Sequence, residues 1–108
     1  MKYSKFEKVA ARELFELAMH RDYENLKSQI ASLSIDEPHN IWELKDLLNK
    51  KAKEFDKKYD YRYSILDQLF AEFILEDLLV ISELKGLSKE RQKHIETIVE
   101  NIKKLRDV

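Results

Sequence analysis

The side chains able to do chemistry are few and scattered. His20 lies between Glu16 and Glu24 at helical i±4 spacing, so the three share one face and could in principle hold a metal. Such a site needs further ligands and supporting partners from elsewhere in the chain, and a solvated stripe is the better reading. His39 and His94 stand at spacings that link them to nothing. No HExxH helix and no calcium loop is present, and the only glycine, Gly86, excludes a glycine-rich phosphate loop. With no cysteine there is neither a thiolate zinc site nor a cysteine nucleophile. No strand–turn–helix segment offers a nucleophile elbow. The expectation is a protein that is not an enzyme and takes no metal and no cofactor.

Two further stretches suggest binding. Lys50, Lys51, Lys53, Lys57, Lys58 and Arg62 alternate with Phe55, Tyr59, Tyr61 and Tyr63, a mixture that can stack on single-stranded nucleic acid. Glu54, Asp56 and Asp60 cancel half of that charge, so a wetted helix face with aromatic anchors turned inward is expected instead, without a nucleic-acid partner. Trp42, the only tryptophan, stands one helical turn before Asp46. An indole beside a carboxylate suits the centre of a protein–protein interface as well as it suits a core.

Helices must position these residues. The 108 residues are 44% hydrophobic and 38% charged, with 20 basic against 21 acidic side chains and a net charge of -1. That is enough chain for one core and gives no global field towards nucleic acid or an anionic membrane. One glycine and one proline leave little for the tight turns of a sheet-rich fold. Ser4 and Glu7 have capping-box spacing, and a first helix is expected from Ser4 to Leu33. Its stripes are Phe6, Ala10, Leu14 and Leu17, then Met19, Tyr23, Leu26, Ile30 and Leu33. Pro38 interrupts, and Asn40 with Glu43 is expected to cap a second helix through Ile41, Leu44, Leu48, Ala52 and Phe55. A break near Asp60 precedes a broad, buried third helix running to Leu84, with Gly86 as a positive-φ cap. Ser88 caps a fourth helix with the seam Ile95, Ile98, Ile102 and Leu105, and Lys103, Lys104 and Arg106 suit its carboxyl end. The apolar run Leu69 to Ile81 contains Glu72, Glu76 and Asp77, so no membrane span is expected. Met1 to Lys5 shows no apolar stretch after its positive charges, and the cytoplasm is the expected compartment.

Length then bears on assembly. A helix from Ser4 to Leu33 is roughly 45 Å long, whereas a globule of this size is only about 35 Å across. The excess carries Ile30 and Leu33, which a symmetric second copy can cover. The alternative is a first helix that kinks and folds back on itself.

The run Ile41-Trp42-Glu43-Leu44-Lys45-Asp46-Leu47-Leu48, with Lys51, Glu54, Asp56 and Lys58-Tyr59-Asp60-Tyr61-Arg62, resembles the cyanobacterial fluorescence recovery protein family. The likeness continues through Ser64, Phe70-Ala71, Glu76, Leu78, Glu83-Leu84 and Leu87, and more weakly around Leu14-Phe15 and Arg21. The resemblance implies an all-α fold of four helices, with an extended two-helix stalk over residues 1–60 that dimerises and a compact helical head over 61–108. It also implies a non-enzymatic regulator that binds the light-activated orange carotenoid protein and speeds its return to the resting form.

By the same resemblance Trp42 and Asp46 lie at the dimer interface, with Lys45 in place of a histidine and Ala52 in place of the arginine that pairs with the aspartate. Gln68 and His94 stand where a phenylalanine and a lysine contact the partner, with Arg91 on the same head surface. The expected partners are a second copy, with a tetramer as the larger option, and the orange carotenoid protein or a related C-terminal-domain-like module. A generic dimeric helical adaptor or chaperone with a different protein partner is the competing expectation.

Overall fold

Ser4 and Glu7 act at the first turn as their spacing predicts. The Ser4 N–H donates to Glu7 Oε1 at 3.2 Å and the Glu7 N–H donates to Ser4 Oγ at 3.1 Å. In the computed structural model, which describes residues 2–107, this box opens α1 (Lys5–Ala31). There follow α2 (Pro38–Lys58), α3 (Leu66–Leu75), a 3-10 helix (Ile81–Gly86) and α4 (Lys89–Arg106), with no strand among the described residues. The expected all-α class is therefore observed, with the 3-10 helix added to four α-helices.

Several boundaries differ from expectation for identifiable reasons. Asn40 does not cap α2. The helix begins at Pro38 with Glu37 in the cap position, because a missing N–H costs nothing in a first turn where that donor has no partner anyway. The third helix stops at Leu75, well short of Leu84. The Leu78 N–H reaches back to the Phe73 carbonyl at 2.8 Å and the Asp77 N–H to that of Ile74 at 3.1 Å. Asp77 adopts φ 59 between them. This is a Schellman ending with aspartate in the place usually taken by glycine. Gly86, expected to supply positive φ, does not. It is small for another reason: a Cβ there would lie 2.7 Å from the Ala10 Cβ.

The chain divides into two units, one comprising residues up to Arg21 together with Tyr61 onward, the other Asp22–Asp60. A boundary at residue 60 was expected, but the first turns of α1 belong with the later helices because they bury side chains among them. In the first unit Ala11, Leu14, Phe15 and Ala18 of α1 are buried together with Leu66, Phe70, Ala71 and Phe73 of α3. Leu78, Leu79, Leu84, Leu87, Ile95 and Val99 complete this core. The inward stripe of α1 thus passes through Glu7 and Phe15, and Phe6, expected inside, is 87% exposed. On α4 the buried line is Arg91, Ile95 and Val99, while Leu105 is exposed. Ser88 caps α4 as expected, accepting from the Arg91 N–H at 3.1 Å.

The second unit pairs the end of α1 with α2. Tyr23 and Phe55 meet edge to face with centroids 4.7 Å apart, and Phe55 meets Tyr59 at 5.4 Å. Asp22 accepts from Lys58 Nζ at 2.9 Å and from the Tyr59 hydroxyl at 2.6 Å. The lysine-rich stretch is accordingly a helix face with Phe55 turned inward.

Candidate functional site

In the first unit an ionic cluster is built from four separate segments. Arg91, on the inner face of α4, has its guanidinium carbon 3.5 Å from the centroid of the Tyr3 ring. Its Nε donates to Glu7 Oε2 at 2.8 Å, and its Nη1 donates to both oxygens of Asp67 at 2.9 and 3.0 Å. Asp67, in the first turn of α3, also accepts from the Tyr3 hydroxyl and meets His94 Nδ1 at 2.8 Å. Glu7 Oε2 takes a further bond from the Ser88 N–H at 3.1 Å. A guanidinium this deep is tolerable only because its charge is met on two sides.

The acid–base consequences follow from these partners. Burial alone would raise the Glu7 carboxyl, but the Ser88 N–H, Arg91 and the Ser4 N–H outweigh it and hold the pKa at about 2. Burial, reinforced by Asp67, pushes the Tyr3 phenol well above its usual range. Burial, and then the neighbouring Tyr63, push Tyr61 up to about 12. Arg21 forms a second bidentate pair, 2.7 Å to each Glu83 oxygen, and also donates to the Leu78 carbonyl at 2.9 Å. The hydrogen bonds from Arg21 to Glu83 hold that carboxyl below the ordinary carboxylate range. Arg21 therefore ties α1 to the segment that follows α3.

Above the cluster lies a groove of about 360 Å³ lined by Tyr63, Ser64, Asp67, Gln68, Arg91, His94 and Ile98. The three residues expected on the head surface, Gln68, His94 and Arg91, converge here. Gln68 and His94 are exposed, but Arg91 is only 1% exposed. Its expected place on the surface is corrected: its guanidinium is committed to Glu7 and Asp67 and forms the floor, where it fixes Asp67. Asp67 itself was not singled out from the sequence, because nothing local marks an aspartate whose partners come from Tyr3, Arg91 and His94.

The second unit presents an apolar surface. Trp42 is 63% exposed, and Tyr23, Leu33, Ile35, Ile41 and Leu48 are also uncovered. Ile30 is half-buried, and Asp46 and Lys45 are exposed. The Lys45 ammonium lies 5.7 Å from the Trp42 ring centroid, at the range of a cation–π contact. Beside them Tyr23, Leu26, Leu48, Lys51, Ala52, Phe55 and Asp56 line a hollow of about 260 Å³.

His20 and Glu24 remain on the exposed face of α1, and Glu16 pairs with Arg12 at 3.0 Å. Among the described residues no group of three or more His, Asp or Glu side chains is gathered to hold a metal ion. Among the described residues no helix is long and apolar enough to cross a membrane.

Fold and surfaces together define an all-helical protein with one polar groove over a buried ion cluster and one helical hairpin whose apolar side chains are left open. Residues 3–105 match the family described as photoprotection regulator fluorescence recovery protein. The fluorescence recovery protein of Synechocystis is 32% identical over 98 residues, covering 89% of this chain and 90% of that one. The structure of the Fremyella diplosiphon fluorescence recovery protein superposes with a TM-score of 0.85 at 33% identity, over 92% of this chain and 99% of that one. The Synechocystis structure gives the same TM-score and coverage at 30% identity. The chain belongs to the fluorescence recovery protein family, whose members are photoprotection regulators.

Proposed function

We propose that this chain is a non-enzymatic, cytoplasmic regulator that acts as a homodimer. It binds photoactivated orange carotenoid protein, or a related C-terminal-domain-like partner, and promotes its return to the resting form. The observation that carries the reading is the uncovered apolar side chains of Asp22–Asp60, with Trp42 63% exposed, in a chain of this family. The face around Trp42, Asp46, Lys45, Leu33 and Ile30 meets the second copy, and the groove bearing Gln68 and His94 meets the partner.

Such a regulator works by differential affinity. It speeds recovery only by holding the resting-like arrangement, or the barrier towards it, more tightly than the activated one, because equal affinity for both moves no equilibrium. The test adds the protein to photoactivated orange carotenoid protein, follows the orange spectrum and looks for co-elution on gel filtration. Faster recovery with a complex is the expected result. An unchanged rate with no complex overturns the regulatory reading and leaves a dimeric helical adaptor for another protein. Gln68 and His94, which replace a phenylalanine and a lysine in the resemblance, are the residues that favour this second reading.

A further inference from the structure

His94 stands at the mouth of the head groove, its side chain 51% exposed, with Nδ1 2.8 Å from Asp67 Oδ2. Asp67 already accepts from the Tyr3 hydroxyl and from Arg91 Nη1. A carboxylate facing a guanidinium offers only acceptors, so the imidazole nitrogen turned towards it carries the hydrogen. Asp67 thereby fixes the tautomer. Nδ1 keeps its proton in both charge states of the ring, and Nε2 alone changes. The neutral ring turns a lone pair outward, while the protonated ring turns out a cationic N–H donor.

The surroundings decide which ligand this exchange serves. Glu7 and Asp67 set two negative charges against the single positive charge of Arg91, so a protonated His94 brings the cluster to neutrality. Glu90 lies one turn before His94 on α4, and Tyr63 lines the groove opposite. Lys2 and Lys8 line an adjoining hollow of about 310 Å³ that shares Tyr63 and Ser64 with the groove. With His94 protonated, its Nε2–H joins the Ser64 hydroxyl and the Gln68 amide as donors around one opening. A carboxylate accepts from several donors at once and is drawn by the nearby lysines. Against the neutral ring the same carboxylate meets a lone pair.

We propose that this groove receives a carboxylate from an acidic segment of the protein partner, and that protonation of His94 switches the groove into the state that binds it. The switch itself follows from the Asp67–His94 geometry; only the partner's identity rests on the regulatory reading above.

The test uses the full chain and two readouts. Nitrogen-15 NMR of the His94 ring is expected to place the proton of the neutral form on Nδ1. Hexaglutamate, as probe, is expected to bind about tenfold more tightly near pH 6 than near pH 8, the worth of one charge-assisted hydrogen bond. H94K is expected to bind equally at both pH values and H94Q weakly at both. A neutral ring protonated on Nε2 overturns the switch, and so does a pH dependence that H94Q retains or hexaglutamate affinity that does not change with pH. Repeating the titration with photoactivated orange carotenoid protein separates the two readings. The hexaglutamate pattern without any carotenoid-protein complex overturns the regulatory reading and leaves the switch standing.

Discussion

Glu7 belongs to two helix starts at once. One oxygen closes the capping box of α1, and the other accepts from the Ser88 N–H and from Arg91 Nε at the start of α4. Its carboxyl falls from an ordinary 4.5 to about 2, so its contribution to stability is complete above about pH 4.5 and disappears as the pH falls through 2. At about 1.4 kcal/mol per pH unit, the natural chain should lose roughly 3 kcal/mol over that window. Glu7→Gln should lack this acid limb and be less stable by about 3 kcal/mol at neutral pH, where it leaves Arg91 buried with one partner removed. Urea unfolding at stepped pH measures both effects. Half of this residue's role is written in the sequence, because Ser4 and Glu7 are three residues apart and share a turn. The other half is not, because Ser88 and Arg91 lie 81 and 84 residues away and no local pattern joins them to position 7.

At the scale of the element, the informative places are where a local rule and a tertiary one compete. Periodicity could not tell which side of α1 turns inward, because apolar residues stand on several of its faces. Phe6 and Val9 are exposed while the smaller Ala11 and Ala18 are fully buried. Gly86 reads as a helix cap by type, yet space governs it, with the Ala10 Cβ occupying the place a side chain would need. Gly86→Ala should therefore cost about 1–3 kcal/mol, the range for overpacking a close contact. Pairing it with Ala10→Gly should recover part of that loss beyond additivity, as thermal melts of the double-mutant cycle would show. Asp77 is the reverse case, where backbone conformation dominates. A left-handed φ of 59 favours glycine, so Asp77→Gly should raise stability by about 0.5–1 kcal/mol. Asp77→Val should lower it by about 1–2 kcal/mol, because a β-branched side chain crowds the carbonyl there. Equal stability of the two variants would show that the end of α3 is set by the packing of Leu78 and Leu79 and not by the turn.

At the scale of the molecule, the two units are unlike in what they bury. Among the described residues, the unit that includes α3, α4 and the start of α1 holds every buried hydrophobic residue but one. The unit Asp22–Asp60 has Phe55 alone, with Tyr23, Leu33, Ile35, Ile41, Trp42 and Leu48 open. Ordering each of its residues costs about 1–2 kcal/mol of conformational entropy, and short helix pairs draw their stability from packed apolar faces more than from propensity. One buried phenylalanine does not meet that cost, so the open side chains need cover. A second copy would supply it with the least new design, since one self-complementary patch serves both partners. The chain should therefore run in light scattering at twice its 13.0 kDa at micromolar concentration. Trp42→Glu, which sets a charge on an already exposed position, should shift it to a single-chain mass and lower the melting temperature in a concentration-dependent way. Dimerisation stabilises by mass action, so the melting temperature of the natural chain should itself rise with concentration. A single-chain mass for the natural protein with a melting temperature independent of concentration would mean that this hairpin is stable uncovered, and the reading of Trp42 as an interface residue would fall with it.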